Sequence, residues 1–535
     1  MTNYISAHSG DNMGYRVRNM NLLSKPSIAI ELDNTDGYIS SYSTLDRIEG
    51  KVHVTAPNDT RFDDIEISFI GQSKTFVEKF TTTSAMTGRT DATHRFLKLT
   101  QPIESAAFPE PRVCKAGLTY TFPFTFAVPL HLLPRACSHP VTGDHVRDAH
   151  LQLPPSLGDP ELSGFGGALL DDFAPHMARI TYAVHAEITR VRFDSVETIV
   201  AEKSRKVRIK PAFDELPPLS VDGGPDQPEY RLRQVKTIRK GVFKGKLGRL
   251  VMEATQPPCL RLPALAPDVD PRGVNISTMA RVALRFDPAR DDEQPPKLSQ
   301  LSSKLKVQTF FSTTPRRNFP AQANTLLDMH LGAFSETVTL ASRCVGATPW
   351  ERHERDPGSG SFSSSSRCAS TASSTSELLD RRDSSASAQT GSASSSSSSS
   401  SSSIPEASDR YQGRTFYTAQ LLVPISLPRK KHFVPTFHSC LVSRVYILHL
   451  HLATQSPGQQ GASLKVPVQI SAEGRSAARV SEDAAWAAAE VDEVLTPRLV
   501  GRVGEERDGL AERWRAQEAP PPEYGQQHGA PVRVC

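Results

Sequence analysis

Residues 118–128 alternate large apolar side chains with small or polar ones, and this pattern constrains the fold of the chain most strongly. Alternation with a period of two residues is typical of a β-strand with one buried face. Pro123 lies inside the segment and cannot donate a ladder hydrogen bond, so the strand is predicted at a sheet edge or a bulge. The side chains on the apolar face are Leu118, Tyr120, Phe122, Phe124, Phe126 and Val128.

The same period recurs throughout residues 26–211. The apolar residues change phase after Ile188, which predicts a β-bulge there. We find no convincing amphipathic helical pattern in this region. Short strands separated by turn signals predict a β-sandwich. The clearest alternating segments are residues 28–32, 52–54, 65–69 and 180–188.

A second alternating region spans residues 229–472 and is interrupted by a serine-rich segment. Serine fills 24 of the 45 positions from 359 to 403. Such a composition cannot supply a packed core, so residues 351–412 are predicted to be a disordered insertion. The strands predicted after it must pair with strands before it, so the insertion is predicted to be a loop inside a second sandwich. Such a long insertion is tolerable because the entropic cost of closing a loop grows only logarithmically with the length of the loop.

The remaining segments are predicted to be a disordered N-terminus (1–25), a linker (212–228) and a tail (473–535) with a helix at 482–495. The N-terminus lacks the apolar core of a signal peptide, and the longest apolar run, at 440–453, is interrupted by polar side chains and is predicted to be a buried strand. Seven cysteines without paired spacing favour a reducing cytosol. A net charge of +4 is too small to indicate nucleic-acid binding.

The sequence contains no recognisable catalytic or cofactor-binding motif, so neither an enzymatic activity nor a cofactor is predicted. One group of residues invites a metal interpretation, because histidine and cysteine are zinc ligands. Their spacing matches no zinc motif, and the segment that carries them is predicted to be a loop, so no metal site is predicted. These residues are His131, Cys137, His139, His145 and His150.

A basic run from residue 231 to residue 249 contains no acidic residue. It is interpreted either as a solvated strand face or as a contact surface for acidic cargo tails or anionic lipid. Basic residues between 203 and 210 are candidates to extend this surface. The residues of the candidate patch are Arg239, Lys240, Lys244 and Lys246.

The serine-rich insertion is interpreted either as an inert linker or as a phosphorylated regulator. Arg381 and Arg382 precede Ser384 and Ser385 at a spacing that suits basophilic kinases. Phosphates on these two serines would add negative charge that competes for the basic patch.

Near the C-terminus, three consecutive prolines precede Glu523 and Tyr524. Consecutive prolines favour the polyproline II conformation, which a partner binds at little entropic cost. Two prolines, a spacer and a tyrosine suit the aromatic groove of a WW domain, so Pro521, Pro522 and Tyr524 are the predicted contacts. The alternative is a chance match, and the weight of the WW-domain interpretation depends on what the rest of the chain indicates.

Several segments resemble arrestins, in particular the fungal α-arrestins, which carry a C-terminal PPxY motif. Residues 118–129 resemble the Y-x-F-P-F-x-F-x-x-P strand of arrestin N-domains. Residues 150–159 look like the loop that follows it, and residues 180–184 resemble the next strand, I-x-Y-x-V. Residues 435–446 and 464–470 resemble late strands of the C-domain. The resemblance implies two consecutive arrestin-like, immunoglobulin-like β-sandwiches.

The resemblance also implies a cytosolic adaptor. Family members bind plasma-membrane transporters or receptors with their sandwiches. Through PPxY they recruit HECT ubiquitin ligases of the Nedd4/Rsp5 type, whose WW domains hold the motif, and the cargo is ubiquitinated and endocytosed. Such a protein is expected in the cytoplasm, with peripheral recruitment to the plasma membrane or endosomes. The alternatives are a coat-like scaffold similar to retromer subunits, and a β-sandwich enzyme or lectin, which would need a site that we do not find.

Overall fold

A computed structural model of the chain describes most of the two regions that are predicted to fold. Strands predominate in it, which confirms the all-β prediction. Within the described part of the chain, no helix is long and apolar enough to cross a membrane. The described residues are 25–33, 40–80, 87–159, 164–165, 168–191, 196–217, 229–241, 245–264, 273–354, 404–408, 411–455 and 461–474.

Among its described residues, the first sandwich contains the strands up to residue 209, a 3-10 turn (Ser105–Ala107) and one α-helix, α1 (Asp144–Leu151), which follows a second 3-10 turn (Pro134–Cys137). Its strands are β1 (Ser27–Leu32), β2 (Ser41–Tyr42), β3 (Arg47–Thr55), β4 (Thr60–Arg61), β5 (Asp64–Phe80), β6 (Thr87–Thr100), β7 (Val113–Cys114), β8 (Thr119–Ala127), β9 (Gly164–Phe165), β10 (Ala168–Leu169), β11 (Ala178–Val191) and β12 (Glu197–Ile209).

Two sheets enclose the core of this sandwich, one in the order β1-β3-β8 and the other in the order β2-β12-β11-β5-β6. Among the described strands β8 pairs only with β3, which confirms the edge position predicted from Pro123. The three phenylalanines of β8 are buried. Leu118, which the alternation also places on the apolar face, is 56% exposed because it lies in the turn before the strand.

Strand β11 carries the predicted bulge. Its pairing with β12 changes register between Ile188 and Thr189, where the apolar alternation changes phase. Before the bulge Ile180, Tyr182 and Val184 are buried, because they face the opposite sheet. The bulge therefore ends the regular inward alternation of this strand.

The prediction that residues 26–211 contain no amphipathic helix is wrong for α1. Val146, Ala149 and His150 are buried on one side of this helix. The helix is only about two turns long, and the helical period needs a longer window to be recognised. Its charged and histidine residues also leave few apolar positions from which the period can be read.

The second sandwich contains the remaining strands and a short helix, α2 (Gln322–Leu327). Its strands are β13 (Arg233–Arg239), β14 (Lys246–Ala254), β15 (Leu260–Leu262), β16 (Ser277–Pro288), β17 (Leu298–Ser312), β18 (Leu331–Cys344), β19 (Glu351–Glu354), β20 (Thr415–Ser426), β21 (Phe437–His438), β22 (Val442–Thr454), β23 (Ala462–Val468) and β24 (Ile470–Ala472).

The two main sheets of this sandwich have the orders β13-β14-β16-β20-β19 and β18-β17-β22-β21, with β23 also paired to β22. Strand β20 follows the serine-rich insertion and pairs with β16, which precedes it. Strand β22 likewise pairs with β17. The predicted pairing across the insertion is therefore confirmed, and the apolar run at 440–453 is mainly the buried strand β22, as predicted.

The two sandwiches share a buried junction. Phe311, Val434 and Phe437 of the second sandwich pack in the apolar core of the first. In the opposite direction, Phe173 of the first sandwich packs in the core of the second. Both sandwiches belong to one compact unit, so the predicted domain boundary at 212–228 stays a prediction.

Candidate functional site

The structure describes only some of the residues predicted to be functional. Arg239, Lys240 and Lys246 of the candidate basic patch can be placed. The ligase-binding motif, the candidate phosphorylation sites and one lysine of the patch lie outside the described residues. These are Pro521, Pro522, Tyr524, Ser384, Ser385 and Lys244.

Arg239, Lys240 and Lys246 lie at the turn between β13 and β14, and we call them the basic hairpin. All three residues are exposed, and Arg239 lies opposite Lys246 in the strand register. The Lys240 ammonium group contacts the Glu293 carboxylate, so this surface is not free of acid although the run in the sequence is. Like charges placed directly opposite each other repel, and an anion bound beside them relieves that repulsion.

The basic residues of β12 do not form the continuous surface that the sequence suggests. Lys206 pairs with Asp159 at 2.8 Å, and Arg205 donates a hydrogen bond to a carbonyl oxygen of β1. Arg208 is buried, and burial lowers its pKa to about 10 while the Asp172 carboxylate acts in the opposite direction. A buried guanidinium cannot contact a membrane or a cargo tail, so Arg208 does not belong to the surface patch.

Arg444 is fully buried where the second sandwich meets a loop of the first. Its Nε donates to Thr309 Oγ1 at 3.0 Å, and its Nη1 donates to the Asp172 carbonyl oxygen at 2.9 Å. The Lys431 ammonium group donates to the adjacent Asp171 carboxylate at 2.5 Å. These contacts fix the loop of the first sandwich against the second.

Three of the five residues considered for metal binding converge at the same junction. Cys137 ends the 3-10 turn, His139 lies just after it, and His150 lies in the last turn of α1. The fold brings Cys440 against them, from the turn that connects β21 to β22. We call these four residues the Cys–His cluster.

The donor atoms of the Cys–His cluster all lie within 4.8 Å of one another. Cys137 Sγ lies 3.4 Å from His139 Nε2 and 3.6 Å from His150 Nδ1. Cys440 Sγ lies 3.6 Å from the Ala136 carbonyl oxygen. Both cysteines and His150 are buried, and His139 is half-buried, so water has little access to the cluster.

The other two histidines of this segment are not members of the cluster. His131 forms an isolated antiparallel bridge with Gln152. The His145 ring lies 5.6 Å from the Phe319 ring, centroid to centroid. Density of histidines along the sequence is therefore a poor guide to which of them meet in space.

Burial favours the uncharged forms of two members of the Cys–His cluster, His150 and Cys440. It lowers the pKa of His150 to about 4, with smaller contributions from His139 and Arg316. Burial raises the pKa of the Cys440 thiol to about 12, with a further contribution from Cys137. At neutral pH the His150 imidazole thus keeps a free lone pair, and the Cys440 thiol keeps its proton unless a cation displaces it.

Sequence spacing could not reveal this cluster, because the second sandwich contributes one of its four members. The sequence also predicts a loop around α1, whereas the 3-10 turn and the helix hold the three cluster members of this segment in place. The only local signal was the high density of histidine, and two of those histidines lie elsewhere.

Comparison with known proteins finds a family related to the second sandwich. A family model described as the Bul1 C terminus matches residues 358–472, which include strands β20 to β24. This family is arrestin-related and consists of adaptors of the Rsp5 ubiquitin ligase. The match confirms the arrestin-related resemblance for this part of the chain. No curated protein matches the chain.

Proposed function

We propose, from the arrestin-related match of its residues 358–472, that this chain is an adaptor for a HECT-type ubiquitin ligase of the Nedd4/Rsp5 class. The sandwiches bind the cytosolic tails of membrane transporters or receptors. The ligase is held by Pro521, Pro522 and Tyr524, and cargo ubiquitination and endocytosis follow. In this proposal the protein works in the cytoplasm and at the plasma membrane or endosomes.

The family match carries this proposal, since the matched family consists of adaptors and not of enzymes. An adaptor needs one surface for cargo and another for ligase on the same chain. The double sandwich supplies an extended surface, and the PPxY sequence lies in the tail that follows it. A coat-like scaffold needs no PPxY sequence, and no observation favours that alternative.

Replacing Tyr524 by alanine is expected to weaken binding to the WW domains of such a ligase at least tenfold, or about 1.4 kcal/mol. The phenol ring occupies a pocket of the WW groove beside the prolines, and alanine leaves that pocket empty. Binding is measured by calorimetry with the full chain and an isolated WW-domain array.

Glu523→Ala is the matched control for this experiment, because the spacer residue leaves both prolines and the tyrosine in place. It is expected to bind within about twofold of the wild type, a difference of about 0.4 kcal/mol. Equal binding by the Tyr524→Ala variant and the wild type would show that the ligase is not recruited through this motif.

Reversing the three charges of the basic hairpin with Glu substitutions is expected to weaken binding to phosphatidylserine vesicles more than tenfold at low salt. Each Lys or Arg near an anionic surface contributes about 1 kcal/mol. The measurement is vesicle sedimentation of the full chain, with neutral phosphatidylcholine vesicles as the reference.

A second triple variant, with glutamate at Lys51, Lys74 and Arg95, controls for net charge. These three residues are exposed on the first sandwich and change the total charge by the same amount. If both variants lose binding equally, net charge and not the basic hairpin is responsible. If neither loses binding, the lipid contact is ruled out for this surface.

A further inference from the structure

We propose that Cys137, His139, His150 and Cys440 bind a zinc ion that ties the two sandwiches together. The four side chains offer two sulfur and two nitrogen donors, and a tetrahedral set of this kind is typical of zinc. All four positions of a tetrahedron are filled by protein, which is the arrangement of a structural rather than a catalytic zinc site.

The distances within the Cys–His cluster fit a tetrahedral zinc ion. Zn–S bonds of about 2.3 Å and Zn–N bonds of about 2.0–2.1 Å give tetrahedral S···N edges of about 3.5 Å. The two S···N distances from Cys137 Sγ are 3.4 Å to His139 and 3.6 Å to His150. Cys440 Sγ lies within 4.8 Å of the other three donors, so a small movement of its side chain closes the site.

The orientation of His139 also fits this role. Its Nδ1 lies 3.2 Å from the Pro140 carbonyl oxygen, to which it can donate its proton. That hydrogen bond leaves Nε2, the atom that faces Cys137, as the lone-pair donor. A zinc-ligating histidine commonly donates its other ring N–H to a carbonyl or carboxylate oxygen, which fixes the tautomer and the ring.

The charge balance suits a buried junction that already contains cations. Zinc binding displaces the two thiol protons to solvent, and the two thiolates then neutralise the Zn²⁺ charge. A neutral centre is compatible with Arg316, which lies close enough to influence His150. Besides Arg316, His94 and His438 also lie close to the cluster.

The position of the site gives it a structural role. Cys137, His139 and His150 belong to the 3-10 turn and α1 of the first sandwich, whereas Cys440 belongs to the β21–β22 turn of the second. The Cys440 thiol already lies against the Ala136 carbonyl oxygen. A metal ion held by both sides would therefore join two surfaces that the fold has already brought together.

The test is metal analysis of the full chain purified without added metal or chelator. Elemental analysis is expected to find about one zinc ion per chain. Exchange of the zinc for Co²⁺ is expected to give the thiolate charge-transfer and ligand-field absorption of a tetrahedral site with two sulfur ligands. The cobalt spectrum uses the wild-type chain, so it does not depend on whether a variant folds.

Cys440→Ser is expected to lower the zinc content at least tenfold. Cys114→Ser is the matched control, because Cys114 is buried like Cys440 but lies in the first sandwich, outside the cluster. It is expected to keep its zinc. A chain that contains no zinc and shows no tetrahedral cobalt spectrum overturns the proposal, as does equal zinc loss in the two variants. A disulfide between Cys137 and Cys440, detected by mass spectrometry of protein purified in reducing buffer, also overturns it.

Discussion

Replacing Asp172 by asparagine is expected to lower the free energy of unfolding by about 3–5 kcal/mol, because it removes the negative charge that offsets the burial of the Arg208 cation. Asp172 is buried, and its carboxylate opposes the effect of burial on the Arg208 guanidinium. With a neutral amide at position 172, the Asp172 carboxylate no longer offsets the cost of burying the Arg208 cation. The loss is measured as a lower urea midpoint in equilibrium unfolding.

The Asp172 side chain also accepts two backbone hydrogen bonds. Its Oδ2 accepts the Gly158 N–H at 2.7 Å, and its Oδ1 accepts the Ala174 N–H at 3.1 Å. Asparagine has one side-chain oxygen, so one of these N–H groups would face an amide NH₂. A buried donor left unsatisfied costs about 1–3 kcal/mol, which acts in the same direction as the lost charge.

Asp171→Asn is the matched control, because the two carboxylates are neighbours and each accepts an N–H from two residues ahead. The Asp171 side chain is 52% exposed, and its ion pair with Lys431 is therefore screened by water. Loss of an exposed ion pair typically costs about 0–1 kcal/mol. Equal destabilisation by the two variants would show that both aspartates act only through their backbone hydrogen bonds.

Much of the fold could be predicted because the information is local. Strands β8, β11 and β22 have one or both faces buried, and the alternation or apolar run that burial requires is visible within about ten residues. Even the bulge in β11 and the edge position of β8 follow from a change of phase and from one proline. Pairing across the serine-rich insertion could be predicted because the strands that follow the insertion must pair with strands that precede it.

The junction could not be predicted in this way, because tertiary contacts determine which side chains meet there. By alternation, Arg208 belongs with the outward-facing basic residues of β12, yet it is buried near Asp172. The Cys–His cluster combines residues from both sandwiches, so no spacing along the chain reveals it. The sequence also shows no acid within the basic run, whereas Glu293 contacts Lys240 in space.

Replacing Tyr182 by alanine is expected to lower the free energy of unfolding by about 3–5 kcal/mol, the range for truncating a large buried aromatic residue. Tyr182 is fully buried on β11. Its ring stacks on Phe69 with centroids 5.9 Å apart and meets Phe96 edge-on at 5.5 Å. Alanine leaves a cavity between the rings, and thermal or urea unfolding measures the cost.

Tyr182→Phe separates the packing of this ring from its hydroxyl group. The hydroxyl donates to the Pro154 carbonyl oxygen at 2.5 Å, and it thereby anchors the segment that follows His150 to the core. Phenylalanine keeps the ring and is expected to cost about 1–3 kcal/mol, because a buried acceptor loses its donor. Hydrogen exchange of residues 151–157 should then be faster, whereas exchange in β5 should change little.

Tyr120→Ala provides the control for removing a tyrosine ring from the same sandwich. Tyr120 is only half-buried on the edge strand β8, so its truncation leaves a smaller cavity and removes less buried apolar surface. It is expected to cost less than half as much as Tyr182→Ala. Equal costs for the two truncations would show that the buried Tyr182 ring contributes no more to stability than a half-buried tyrosine ring.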